Sequence, residues 1–465
     1  MRGEGQRGGT VNRSIGTDSE VGRLRTALVH RPGQELARIS PRTRERLRFD
    51  TVPWIARAQQ EHDLFTDALR EHGVEVVYLT ELLQDVLEYQ AARDEAIGSV
   101  LAESALGEEL AASVSRHLAS LPPEDLARVL ISGLTPGDLR TGHGLVYELL
   151  DPHDFVVEPL PSLVFVNDTS IWIGDQPVLC SLSGPRRRES WLSLVIYRHH
   201  PRFAELASPF PAGPAGFDGG DVLLLAAGVV AVGVGARTAA ASLERLAKHL
   251  LETGIAHTVL AVPAGQRGQD RTLDMTCTMA DSGVVVMAPS AAFTLTAMTV
   301  TARWGELRIS RPRPFLEAAA GAIGADSLTV IETGLDSAAS ASCQWDDGGN
   351  SLAIGDRVMI CDERNVQTNA RLTAAGFDVV TVPASELGRT RGGPRSMCAP
   401  VFREPARLPE RRPTASQPDK SLGLWRSDGP PPAHADTGTA PARPAPDRAE
   451  PAGDERRDDE LAPVR

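Results

Sequence analysis

What most limits how this chain can fold is an alternation that runs through most of it. Short runs rich in Val, Ile and Leu, cut off by Gly or Pro, take turns with longer stretches whose apolar residues recur at helical spacing. That pattern predicts an α/β architecture, because segments of period two and period 3.6 bury their apolar faces against one another. Strands are predicted at 25–31, 74–79, 163–167, 171–173, 222–225, 229–234, 259–262 and 283–287, and helices at 54–72, 187–199, 239–253 and 369–375. The order strand, strand, helix, strand recurs, which suggests a repeated supersecondary unit although no repeat is visible in the letters themselves. One stretch breaks the pattern. Residues 81–145 lack β-branched runs and carry Leu, Ala and Glu at helical spacing, which predicts an inserted helical bundle with one helix over 82–101 and others over 110–121 and 123–131.

The ends read differently. Residues 1–18 are rich in Gly and Arg and lack the apolar core of a signal peptide, so a flexible leader is expected. Residues 404–465 are Pro, Ala, Asp and Arg with almost no aliphatic clusters; such text cannot bury enough surface to offset its ordering entropy, and a disordered tail is expected. The folded part is therefore 19–403. A net charge of −13 argues against a general nucleic-acid binder, which needs a basic face for phosphates. The longest apolar run, 222–236, is broken by glycines and too short for a bilayer, so no membrane span is expected. The five cysteines, Cys180, Cys277, Cys343, Cys361 and Cys398, form no Cys-x-x-Cys pair that would suggest zinc or a redox centre. Scattered thiols suit a reducing compartment, and a cytoplasmic protein is expected.

Three segments place acidic side chains beside strand ends: Asp168 closes the first, Asp218 and Asp221 flank paired glycines in the second, and Asp270 and Asp274 bracket the third. The glycines permit a tight turn that could aim both carboxylates into one pocket. Several carboxylates would suit a planar guanidinium, which takes bidentate acceptors; the competing reading is aspartates that cap turns. A second candidate is the loop 389–400. Gly392 and Gly393 allow close backbone approach, Pro394 stiffens the turn, and Ser396 and Cys398 follow. This is either the presentation of a nucleophile or an ordinary turn between strands.

The weighting is changed by a resemblance that covers most of 19–403. The segment Ser19-Glu-Val-Gly-Arg-Leu-Arg-Thr-Ala-Leu-Val-His-Arg-Pro32 resembles the opening of arginine deiminases. So do Phe49-Asp50 with Val52-Pro-Trp54, Ala58-Gln-Gln-Glu-His-Asp63, 161–174, Tyr197-Arg-His-His-Pro-Arg202, 217–223, Asp346-Asp-Gly-Gly-Asn350, Glu363-Arg-Asn-Val-Gln-Thr-Asn369 and Arg391-Gly-Gly-Pro-Arg395. Their order and spacing carry the likeness. The resemblance implies a pentein fold, a five-fold pseudosymmetric propeller of ββαβ units around a polar cavity, with the helical bundle inserted. It also implies the family reaction, L-arginine and water to L-citrulline and ammonia, with no metal or organic cofactor. In that reaction a cysteine thiolate attacks the guanidinium carbon, ammonia leaves, and a histidine activates the water that cleaves the intermediate.

Position by position, the resemblance makes Asp168 and Asp274 the guanidinium-binding aspartates and Asp221 the second acid of the Gly-Gly-Asp turn. Arg237, and Arg186 across a one-residue gap, become the arginines for the substrate carboxylate. The chemical positions depart from the family. Ser396 stands where the family has the nucleophilic Cys, Thr272 at the general-base His and Asp218 at the Glu, while Ser162 replaces an asparagine and Asn167 an arginine. A serine hydroxyl is far less acidic than a thiol and needs a base, and a threonine cannot be one near neutral pH. A silent homologue that still binds L-arginine or a related guanidino compound is expected. The alternative is an active guanidino-modifying hydrolase or transferase using Ser396, or Cys398 displaced about 6–7 Å along an extended strand. A homo-oligomer and a regulatory protein partner both remain open.

Overall fold

The structure is a computed structural model and describes residues 15–47, 49–102, 106–139, 142–264, 271–333, 349–390 and 392–406. The first fourteen residues of the expected leader and the tail from 407 lie outside them, as do Asp270, Cys343, Asp346, Asp347 and Arg391.

Among the described residues the strands form five sheets, and each is built on the same three-strand plan. The first unit is Ser170–Ile173, Gln176–Leu179, helix Arg187–His199 and Phe210–Pro211. The second is Val222–Ala226, Val229–Val234, helix Ala240–Thr253 and Thr258–Pro263. The third is Cys277–Asp281, Val284–Met287, helix Phe315–Ile323 and Thr329–Glu332. The fourth is Leu352–Gly355, Val358–Asp362, helix Val366–Ala374 and Asp378–Val382. The fifth joins the two ends of the described chain: Ala399–Arg403 pairs with Leu24–Val29, followed by helix Ile55–Glu71 and Glu75–Tyr78. In every unit the first two strands are antiparallel and the next two parallel. A parallel pair needs a crossover, and the helix supplies it. The hydrophobic core is shared between units: strand Val229–Val234 is buried for five of its six residues, and Leu243, Leu246, Ala247 and Leu250 of the following helix pack on the same cluster. That helix stops at Gly254, whose φ of +75° is the left-handed cap that only glycine adopts without strain.

Between the fifth and first units lie helices Leu79–Val86, Gln90–Leu101, Glu108–Ser120 and Pro123–Ser132. The single helix predicted over 82–101 is in fact two, because Tyr89 takes an extended backbone and the Leu87 carbonyl turns to accept Arg93 Nη1. The second sheet is widened by a hairpin, Thr296–Arg303 with Glu306–Ile309, that the sequence reading did not separate. The strand predicted at 163–167 does not form. Pro161–Val164 is a 3-10 turn and Val166–Thr169 a short helix, closed by Thr169 Oγ1 on the Val166 carbonyl. A short apolar run cannot be told from a buried turn by periodicity, and a local side-chain bond decides it.

Candidate functional site

In each unit, a turn carrying polar residues runs into the first strand. Asp168 precedes the strand that starts at Ser170, Asp221 the one at Val222, Asp274 the one at Cys277, Asn350 the one at Leu352, and Ser396 the one at Ala399. Hydrogen bonds join most of these turns in sequence. Asp221 Oδ1 accepts from Leu273 N at 2.9 Å, Asp274 Oδ2 from Asn350 Nδ2 at 3.0 Å, Asn350 Oδ1 from Ser396 N at 3.1 Å, and the Ser396 carbonyl from Asn167 N at 3.2 Å. The first and second units close by packing: a Cβ at Gly219 would lie 1.9 Å from the Asn167 carbonyl oxygen. The polar residues of five distant stretches therefore come together because the repeat places them at equivalent strand ends.

The loop before Ser396 needs its glycines. A Cβ at Gly392 would stand 2.3 Å from the Phe165 ring, and one at Gly393 2.6 Å from the Asn350 carbonyl oxygen. Gly393 N instead donates to Asn350 Oδ1 at 3.0 Å. Ser396 is buried, with its Oγ accepting from Asn350 Nδ2 at 2.9 Å and lying 3.4 Å from Asp274 Oδ2. Thr272 Oγ1 donates to Asp274 Oδ1 at 2.5 Å. Among the described residues, no histidine is hydrogen-bonded to Ser396, Thr272 or the four aspartates.

Each aspartate facing the pocket already holds a guanidinium of the chain itself. Arg186 Nη2 donates to Asp168 Oδ2 at 3.0 Å while its Nε holds Glu189; Arg237 Nη1 lies 3.4 Å from Asp218 Oδ2; Arg395 Nη1 donates to Asp274 Oδ2 at 2.9 Å. Arg395 reaches on to Glu20 with Nε and Nη2, at 3.1 and 2.9 Å. Asp221 is a brace: its two oxygens accept from Leu273 N and from Thr238 Oγ1. Asp218 also caps Gly220 N. Ser162 sits one turn before the site, half-buried, and its carbonyl accepts from Phe165 N.

Cys398 does not share a face with Ser396. The stretch forms a turn, with Met397 N on the Gly393 carbonyl and Cys398 N on that of Arg395, and the strand begins only at Ala399. The thiol points into the core beside Met397, Phe165 and Leu352, and burial pushes it up to about 12. The extended geometry predicted for 396–398 is thus corrected: the i, i+2 relation needs a strand, and a hydrogen-bonded turn takes its place. Sequence reading passed over Asn350, Arg395 and Glu20 as site residues although all three lie in segments it singled out. Cys180 was also missed; its buried thiol lies close enough to Asp218 and Asp168 for burial first, and then their charges, to hold it well above its ordinary value.

Burial, and then the charge of Asp218, pushes Asp168 up to about 8 against the pull of Arg186. Burial and Asp218 likewise raise Asp221 to about 7. Folded Asp168 and Asp221 thus keep protons that an unfolded chain releases above about pH 4. The folded state binds more protons in that window, so on their account stability falls as pH rises from about 4 to 8. Asp168→Asn is expected to flatten this fall in melting temperature measured between about pH 5 and 8.5; a slope equal to wild type would contradict the assignment.

An α/β fold of five such units, each presenting a polar turn to one centre, is the pentein architecture. An amidinotransferase of the saxitoxin biosynthetic pathway from Microseira wollei shares the fold, with a TM-score of 0.50 at 12% identity over 84% of this chain and 98% of its own. The arginine deiminase family profile matches residues 45–403. Arginine deiminases of Mycobacterium marinum and Mycobacterium tuberculosis are 48% and 47% identical to this chain, over 84% of it and 98% and 99% of their own lengths. The chain belongs to the arginine deiminase family.

Among the described residues no helix is long and apolar enough to cross a membrane, and no three His, Cys, Asp or Glu side chains are grouped to hold a metal ion.

Proposed function

We propose that this protein is an arginine deiminase homologue that retains a guanidino-binding pocket and has little or no deiminase turnover, acting through ligand binding or a protein partner. The observation that carries the reading is the state of Ser396. Its hydroxyl is buried and hydrogen-bonded to Asn350 and Asp274, and the neighbouring position 272 offers a hydroxyl that is itself donated to Asp274. Among the described residues no imidazole is hydrogen-bonded to Ser396 or Thr272, and loss of a nucleophile in a well-studied hydrolase costs on the order of a millionfold in turnover. Asp168 and Asp274 offer acceptors suited to a planar cation, whose charge would replace the proton that burial keeps on Asp168.

Calorimetry with L-arginine should show binding, and a long incubation should yield no citrulline above a protein-free control. Citrulline that disappears in Asp168→Ala would overturn the proposal. Because Arg186 occupies Asp168, an incoming guanidinium has to displace it. Arg186→Gln is therefore expected to tighten arginine binding about tenfold, the effect of roughly 1.4 kcal/mol. Weaker binding would instead identify Arg186 as the clamp for the ligand carboxylate.

A second reading rests on the 3.4 Å approach of Ser396 Oγ to Asp274 Oδ2, which would make Asp274 the base for a serine nucleophile. Burial raises the Asp274 carboxyl above its ordinary value against the pull of Arg395 and Thr272, but its oxygens are already taken up by Arg395, Asn350 and Thr272. A covalent adduct on Ser396 after incubation with guanidino substrates, read by mass spectrometry, would establish it.

A further inference from the structure

Arg395 separates two compartments. Its Nη1 faces Asp274, and its Nε and Nη2 face Glu20. On the Glu20 side lies a cavity of about 30 Å³, whose wall includes Glu20, Asn167, Leu224, Arg395, Cys398 and Arg403. Since a cavity needs roughly 10–15 Å³ to hold a water, there is room for one or two species of that size.

Three nitrogen donors of the wall residues have no partner: the Trp172 indole Nε1, and one each on Arg403 and Asn167. Arg403 spends Nη1 on the carbonyls of Gly22 and Ala353, both at 2.8 Å, and its Nη2 has none; Asn167 Nδ2 likewise has none. Both side chains are buried, Arg403 with 3% and Asn167 with 4% of its surface exposed. A buried donor left unsatisfied costs about 1–3 kcal/mol, and more when it is charged. The acceptors within reach are committed. Glu20 Oε1 takes Leu224 N at 3.3 Å and Arg395 Nη2, and its Oε2 takes Arg395 Nε. The wall thus holds two guanidinium groups and one carboxylate, with that carboxylate engaged by Arg395. What fits is an acceptor without donors of its own, small, and carrying one negative charge.

We propose that this cavity binds one small monovalent anion of the halide class, held by Arg403 Nη2 and Asn167 Nδ2. The anion gives Arg403 the charged partner that its two carbonyl contacts do not, and supplies the lone pairs that both donors lack. It also stiffens the neighbouring pocket, because Asn167 N holds the Ser396 carbonyl and Arg395 joins the cavity to Asp274. The inference is independent of whether the pocket turns over arginine.

The test is thermal unfolding of the full chain in sodium chloride or bromide against sodium gluconate at equal ionic strength, together with bromide anomalous diffraction. A saturable rise in melting temperature with halide is expected, with a bromide peak in contact with Arg403 and Asn167. Arg403→Met should abolish the halide-dependent part of the shift. Asn167→Leu should do the same, and it carries the test if Arg403→Met fails to fold. Equal melting temperatures in halide and gluconate, or density only for water in the cavity, would overturn the proposal.

Discussion

Changing Ser396 to Cys, Thr272 to His and Asp218 to Glu together is expected to raise citrulline formation at least a hundredfold above wild type and above each single variant. The reasoning is chemical. A cysteine at 396 would inherit a position already framed by Asn350 and Asp274, and a cationic substrate would help to ionise it. Without a base the following hydrolysis stays slow, so Ser396→Cys alone is expected to remain near background; a positioned general base contributes about 10²–10⁴. An imidazole at 272 has to swing away from Gly220, since a Cβ at that glycine would already lie 3.0 Å from Thr272 Oγ1. On the proposed reading, the longer acid at 218 would extend one methylene further toward the substrate. Citrulline assay of all four variants decides it. A triple variant no better than wild type would place the deficit in Asn167, Ser162 and the occupation of Asp168 by Arg186.

Arg395→Met is expected to destabilise the fold by about 3–5 kcal/mol, the usual consequence of removing one member of a buried charge network. Glu20 and Asp274 would be left in the interior without the guanidinium that joins them, and the Val222 carbonyl would lose a 2.7 Å bond. Burial alone would raise the Glu20 carboxyl, and it is the charge of Arg395 that brings it below its ordinary value. At the low end of the scale for large domains the loss corresponds to a fall in melting temperature on the order of 6–10 °C. Arg23→Met is the contrast. Its pair with Asp356 spans 3.9 Å with both side chains well exposed, and its loss should stay within about 0.5 kcal/mol. Equal melting temperatures for the two variants would refute the role given to Arg395.

Much of the α/β alternation was legible in the letters because strands such as Val229–Val234 and helices such as Arg187–His199 carry their own periodicity and their own Gly or Pro stops. The failures have local causes. Residues 163–167 look like a strand, yet Thr169 and Asn167 hold the backbone as a turn; 396–398 look extended, yet two backbone bonds curl them. That the aspartates and Ser396 lie together was expected from residue type and resemblance, while Asn350, Arg395 and Glu20 declare their part only through contacts between distant stretches.

By itself the sequence determined which chemical groups this pocket can have: carboxylates, arginines and hydroxyls, with a serine at 396 and a threonine at 272. Side-chain chemistry is written in the letters and does not depend on the fold. Only the tertiary structure decided how those groups are spent. Closing the ring between Ala399–Arg403 and Leu24–Val29 brings the end of the folded chain back to its start. That closure sets Arg395 between Glu20 and Asp274, places Ser396 under Asn350, and turns Cys398 into the core. A charge pair between residues 375 positions apart has no signal in local periodicity; its energy exists only once the five units have packed.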